Sequence, residues 1–372
     1  MVSHSPAYFS ICQIHLAKVS GFLKLGFVPI PGWPGTFGEN IGFKHCPSHA
    51  RKKTMLDFCV AIRAYNAERY LPEILDALFS QENLEDTKWE VLIVDNCSTD
   101  RTAEIVREYE AKWLTNVPLR YCFESRQGSS YARRRAIEEA NAPLIGFLDD
   151  DNEPELNWIS NALEFSEKHP DAAAFGSQIH GKFEAEPPEG FQRIAGFIPV
   201  VERKTSVCFT EGKYDRLNMM PPGAGLVIRR QIWLDNVPED LVLKGPVGKS
   251  LSKKGEDIEA LMYVKKAGWE IWFNSEMHIY HHIPKTRFER EYLLRFFKGT
   301  GLSRFYTRAL SCPKWKVPFK TFAYMLNDLR RVMLHIIKHG CQSRRDLIAE
   351  CEFQLLLHSF LSPFHALFSS QE

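Results

Sequence analysis

From Leu56 onward, apolar and polar positions follow two alternating periods. Residues 58–63 are a short apolar run of strand length, and 67–80 carry Tyr70, Ile74, Leu75, Leu78 and Phe79 at helical spacing, with Pro72 tolerable in the first turn. Residues 89–94 predict a second strand. Ser98, Thr99 and Asp100 are candidate caps for a helix whose Ala103, Val106, Tyr109 and Trp113 share a face. A third strand is expected at 119–124, a helix at 130–141, and a fourth strand at 144–148 that runs into three aspartates. Strands separated by helices of about 10 to 15 residues imply parallel pairing with right-handed crossovers, so the carboxyl ends of all four strands open on one edge. Ligands of such sheets bind at that edge.

After Pro154 the regularity loosens. A helix is expected at 157–169, followed by a Gly-, Pro-, Phe- and charge-rich stretch at 176–220 that fits an insertion or an acceptor-side region. Residues 226–229 predict a strand, 257–267 a helix with Ile258, Leu261 and Met262 inward, and 271–274 another strand. From Pro318 the tail is helical and amphipathic, with Phe322, Met325, Leu329, Met333 and Ile336 three or four apart beside Arg330, Arg331 and Lys338. Docking of that stripe on the protein body is one reading. A peripheral membrane contact is the other, and it suits the basic flank and the later Phe360, Leu361, Phe364 and Phe368. Residues 1–54 show no sustained period of either kind and do not resemble a signal peptide. Met55 is the expected natural start, and 1–54 are read as a poorly ordered extension, with a lid-like N-terminal arm as the alternative. The expected organisation is this extension, a main domain at 55–310 and a helical region at 311–372.

Composition narrows the function. With 372 residues and 44% apolar content, the chain can bury a sizeable core. Its 47 basic residues balance 46 acidic ones, so no global field draws it to nucleic acid, and no nucleic-acid partner is expected. No apolar run reaches the roughly 18 residues of a membrane span. The nine cysteines are scattered, odd in number and never spaced Cys-x-x-Cys, which favours reduced thiols and a cytoplasmic setting.

Four features fall where the open edge should be. Asp95 follows the second strand, where a carboxylate can accept hydrogen bonds from a base or ribose; it is equally a common turn former. Asp149, Asp150 and Asp151 crowd the end of the fourth strand. Adjacent carboxylates repel, so such a run suggests a compensating Mn²⁺ or Mg²⁺ that bridges to a diphosphate, with an acidic helix-capping turn as the plainer alternative. Glu256 and Asp257 open a helix, as catalytic groups or simply as partners of its dipole. His278, His281 and His282 come after the next strand, as metal or phosphate ligands or as surface histidines.

Taken in order, these residues resemble family 2 glycosyltransferases of the GT-A fold, over roughly residues 57–308. Ala64-Tyr65-Asn66 is similar to the family's opening turn, and 94–100 (Val-Asp-Asn-Cys-Ser-Thr-Asp) to its Val-Asp-Asp-x-Ser-x-Asp segment, with Asn96 replacing the second acid. The run from Gln127 to Arg135 resembles the Gly-x-x-x-Ala-Arg-Asn helix start and carries Gly128 and Arg133. Asp149-Asp150-Asp151 resembles the Asp-x-Asp signature, 222–225 the glycine-rich acceptor-side loop with Gly223, Glu256-Asp257 the Glu-Asp motif, and His282-Ile-Pro the family's late histidine, with His281 competing.

The resemblance implies a Rossmann-like, mainly parallel sheet flanked by helices, with the C-terminal helices as an extension. It implies donor binding by Ala64, Tyr65, Asn66, Asp95, Gly128, Arg133, Asp149, Asp150 and Gly223, and a Mn²⁺ or Mg²⁺ ion held by Asp149, Asp151 and His282. Asp257, with Glu256, would be the catalytic base in an inverting transfer from a nucleotide-diphosphate sugar to a saccharide or lipid-linked saccharide, in extracellular polysaccharide synthesis at the inner membrane face. The rivals are a metal-dependent nucleotidyltransferase and a non-catalytic sugar-binding protein on a decayed transferase fold. A dehydrogenase is excluded because Arg63 to Glu68 stands where Gly-x-Gly-x-x-Gly would follow the first strand.

Overall fold

The computed structural model describes residues 56–113, 116–216, 219–245, 254–340 and 346–368. The expected extension at 1–54 therefore lies outside the described residues.

In chain order the elements are β1 (Phe58–Ala64), α1 (Leu71–Phe79), β2 (Trp89–Asp95), α2 (Thr102–Glu110), β3 (Leu119–Phe123), α3 (Ser129–Glu139) and β4 (Leu144–Asp149). Then come β5 (Asn152–Pro154), α4 (Trp158–Lys168), β6 (Ala172–Phe183), β7 (Val207–Cys208), α5 (Gly212–Arg216), β8 (Val227–Arg229) and α6 (Arg230–Asn236). The chain continues through α7 (Glu256–Lys266), β9 (Glu270–Ile283), α8 (Arg290–Leu310), α9 (Val317–His339) and α10 (Leu347–Phe368). The βαβαβαβ half is as expected, except that α1 starts only at Leu71, with Pro72 in its first turn.

The nine strands form one sheet, β3-β2-β1-β4-β8-β6-β9-β5, with β7 also pairing with β9. β1 through β4 pair in parallel, while β8 runs antiparallel to β4 and β6. Both faces are covered, which is why β1 and β2 read as continuous apolar runs. Phe58, Val60 and Ile62 face the cluster that buries α1, α2 and α4. Cys59 and Ala61 face the cluster that buries α3, α6 and α7. A third cluster joins Phe191, Ile194 and Ile198 to α8 and α10. Among the described residues the six cysteines, Cys59, Cys97, Cys122, Cys208, Cys312 and Cys351, are all free.

Three expectations need correction. Residues 176–220 are not merely an insertion: their start belongs to β6, a twelve-residue strand paired on both sides. Its Ala-Ala-Ala-Phe-Gly start gives no clean alternation to read. The strand expected at 271–274 extends to Ile283, so the histidines lie within β9, not after it. Ile258 is 39% exposed, whereas Leu261 and Met262 are buried as expected.

The tail is helical, yet the apolar stripe of α9 does not dock. Val317, Asp328, Val332 and His335 are the buried residues of α9, while Phe322, Leu329, Met333 and Ile336 are exposed. Asp328 is fully buried and accepts from Arg308 of α8 at 2.5 and 3.0 Å. α10 packs on α8 where Gly301 lets the helices close: a Cβ there would lie 2.8 Å from the Leu355 carbonyl. Among the described residues no helix is long and apolar enough to cross a membrane.

Candidate active site

The carboxyl ends of β1, β2 and β4 meet at one edge, and register decides which side chains meet there. Ala64 stands opposite Asp95, and Arg63 opposite Asp149. Asp95 is buried and both of its oxygens are engaged, by the Ser98 N–H at 2.8 Å and the Tyr121 hydroxyl at 2.7 Å. Asn66, at φ +54°, joins two loops: its side-chain oxygen accepts the Thr99 N–H at 2.8 Å, and its own N–H donates to Ser98 Oγ. Gly128 donates its N–H to the Asn96 side chain at 2.7 Å and opens α3 at φ +144°, so Asn96, which replaces an expected acid, positions the turn.

The three aspartates are set apart by their partners. Asp149 Oδ1 accepts from Arg63. Asp150 Oδ2 accepts the Tyr65 N–H at 2.8 Å. Burial first, then the charges of Asp151 and Asp149, push the Asp150 carboxyl up to about 8. Asp151 goes the other way: burial alone would raise it, but His281, Arg287 and His282 together hold it below the usual carboxylate range. His281 Nε2 and Arg287 Nη2 each lie 3.4 Å from Asp151 Oδ2. An acidic cluster that keeps a proton near neutrality lacks positive charge, and its hard oxygen donors suit a divalent cation completed by phosphate oxygens and water. Asp149 and Asp151 would hold such an ion, with Asp150 beside them.

The histidine expectation is corrected. His281, not His282, faces Asp151: Asp151 sits in the turn just before β5, outside the strand's alternation, and its Oδ2 lies 3.4 Å from His281 Nε2. The His282 ring lies 3.1 Å from Glu153 and stacks at 4.8 Å on Tyr70; only its backbone N–H reaches the Asp151 carbonyl.

The acidic pair at α7 also divides. Gly255, at φ +100°, is the N-cap, and no side chain caps the helix. Asp257 Oδ2 instead accepts the Gly223 N–H at 2.7 Å. Glu256 is buried, lies 3.8 Å from Arg63, and is raised by burial and by the charge of Asp257.

Arg133 stands beside Asp257. A Cβ built on Gly223 would come 2.5 Å from Arg133 Nη2 and 2.6 Å from Asp257 Oδ2, so only glycine admits both groups. Arg133 is 2% exposed and lies over the Phe147 ring at 4.6 Å, yet none of its three guanidinium nitrogens has a hydrogen-bond partner among the described residues. Burial, then the neighbouring Arg63, lowers it to about 10 despite Asp257 and Glu256, so it stays charged at neutral pH.

Arg63, Arg287 and Lys254 were not singled out in the sequence. Arg63 had a signal, as a charged residue near the end of an apolar strand. Arg287 and Lys254 had none, since only the return of β9 and the loop before α7 bring them to this edge.

The covered sheet, with the aspartates at the end of its fourth strand and the Glu-Asp helix start beside them, has the GT-A architecture. Residues 59–217 match the family model described as Glycosyl transferase family 2. Over 115 residues it is 31% identical to the poly(ribitol-phosphate) beta-N-acetylglucosaminyltransferase TarS of Staphylococcus aureus, covering 31% of this chain and 20% of that one. It is 34% identical over 104 residues to glycosyltransferase AglE of Haloferax volcanii, covering 28% of this chain and 33% of that one. The match thus spans a fifth to a third of these relatives' own lengths. In fold it is similar to the mannosyltransferase PcManGT from Pyrobaculum calidifontis in complex with GDP-Man and Mn2+, with a TM-score of 0.56 at 15% identity over 84% of this chain and 88% of that one.

Proposed function

We propose that this protein is a glycosyltransferase that moves one sugar from a nucleoside-diphosphate sugar to an acceptor hydroxyl with inversion, using Mn²⁺ or Mg²⁺. The observation that carries the reading is Arg133, a buried cation next to Asp257 with no hydrogen-bond partner on its guanidinium among the described residues. Leaving such a group unpaired is costly, and a diphosphate supplies the missing acceptors. Gly223 aims the Asp257 carboxylate through one N–H bond, leaving lone pairs free to take the acceptor proton. Asp95, Asn66 and Gly128 shape the nucleotide end of the edge, with Ala64 and Tyr65 as its floor. When bound by Asp149 and Asp151, the cation would neutralise charge growing on the leaving diphosphate.

The rest of the reading concerns setting. Residues 55–310 would carry the chemistry and 311–372 the attachment. The exposed stripe of α9 suits contact with the inner face of a membrane, where a saccharide or lipid-linked saccharide would be extended toward an extracellular polysaccharide. Screening UDP-, GDP- and TDP-sugars for nucleotide release tests the proposal. Release of a nucleoside diphosphate that EDTA abolishes and Mn²⁺ or Mg²⁺ restores is expected. Full turnover without metal would remove the cation from the mechanism. Pyrophosphate as product would favour a nucleotidyltransferase, and no turnover with any donor would favour a binding protein.

A further inference from the structure

Away from the sheet edge, α9 and α10 bring together three groups that the transfer chemistry does not use. His335 and His339 are four residues apart, so they lie on one face of α9, and their rings stack at 4.5 Å. Glu352 comes from α10. One ligand atom from each of the three lies within 4.8 Å of the other two.

The second observation is the state of His335. Its side chain is one of the few that α9 buries, at 8% exposure, and its Nε2 is buried without a hydrogen-bond partner among the described residues. An unsatisfied nitrogen at a helix seam costs free energy unless something fills its lone pair or takes its proton. A metal ion would fill such a lone pair.

We propose that His335, His339 and Glu352 form a site for a borderline divalent transition metal, Zn²⁺ foremost, that staples α9 to α10. Two histidines at i and i+4 with a carboxylate from a second element are a recurrent three-ligand zinc set, leaving a fourth position for water. Imidazole nitrogen selects Zn²⁺ over the Mg²⁺ or Mn²⁺ that suit the all-oxygen aspartate cluster. His339 is the last residue of α9, where the helix dipole favours positive charge. Arg193 donates to both carboxylate oxygens of Glu352, and a carboxylate has lone pairs enough to serve it and a metal together. Arg193 thereby orients the ligand, as outer partners of metal ligands do. The staple would fix the angle at which α9 presents its exposed apolar stripe.

The test uses the full chain, stripped of metal and held in excess Mg²⁺ so that the aspartate cluster has its own class of ion. Titration with Zn²⁺ should show one equivalent bound, with a raised Tm, and Co²⁺ in its place should give the visible bands of a tetrahedral nitrogen–oxygen site. His339→Ala and Glu352→Gln, each verified as folded by circular dichroism, should each weaken Zn²⁺ at least as much as loss of an outer partner does, about 10- to 100-fold. Asp151→Asn should leave Zn²⁺ affinity unchanged. No Zn²⁺ uptake in excess Mg²⁺, or affinity unmoved by both helix variants, would overturn the proposal. Loss of Zn²⁺ in Asp151→Asn alone would also overturn it, by assigning the ion to the aspartates.

Discussion

Replacing Asp257 by Asn separates proton abstraction from everything else the residue does. As a residue opening α7, Asp257 is open to a purely capping role, for which Asn is as good as Asp. The structure removes that role, because Gly255 caps the helix and the Asp257 carboxylate turns to Gly223. Asn keeps the volume, and its carbonyl oxygen can still accept the Gly223 N–H, so the stability change should stay below about 1.5 kcal/mol, the net worth of one hydrogen bond. Arg133 loses one of the negative charges that raise it, yet a guanidinium stays a cation at neutral pH and would still meet the diphosphate. Donor affinity should therefore change by less than about tenfold. The general base is what disappears, and general-base catalysis is worth about 10² to 10⁴ in rate, or roughly 2.7 to 5.4 kcal/mol of barrier. Calorimetry for donor affinity and nucleotide release for turnover, on one sample of Asp257→Asn, measure the two effects. Near-wild-type turnover would refute the assignment. A fall in affinity matching the fall in turnover would move Asp257 from proton transfer to donor binding.

Gly223→Ala should displace Arg133 and Asp257 together, since its Cβ would lie 2.5 and 2.6 Å from them; misplacement on that scale costs about 10² in rate, and full turnover in the variant would mean that the two groups need not share that gap. Lys254 is held down to about 7, chiefly by burial and then by Arg287, against Glu256 and Asp257. The unfolded lysine binds its proton up to about 10.4, so between about 7 and 10 the unfolded chain holds more protons, and stability contributed here rises with pH. Denaturant midpoints at pH 7 and about 9.5 should therefore rise more steeply in the wild type than in Lys254→Met, and parallel slopes would refute the perturbation. Phe319, Phe322 and Ile337 are 67, 65 and 76% exposed on α9; changing all three to serine should abolish flotation with phosphatidylglycerol vesicles while leaving donor hydrolysis intact, and undiminished flotation would exclude this face as the membrane contact.

How much the sequence decided depends on how local each signal was. The βαβαβαβ half was legible because each strand is a short buried run, each crossover helix carries its own apolar face, and a parallel sheet requires both. Asp95, the three aspartates and Asp257 were legible as neighbours because the ends of such strands and the starts of such helices converge on one edge. What the sequence left open was settled by pairing between distant segments. β6 lacks an alternating pattern and exists because β8 and β9 flank it. The turn that carries Asp151 into β5 brought its carboxylate to His281 rather than His282, a contact that strand alternation alone would not give. The approach of residue 223 to α7 drew Asp257 away from any capping role and set it beside Arg133. On α9 the sequence correctly gave an amphipathic helix but not which side packs: the ion pair of Asp328 with Arg308 seats the polar edge, leaving the apolar stripe exposed. Periodicity records what a segment is able to bury, whereas the partner that arrives from elsewhere in the chain decides what it does bury.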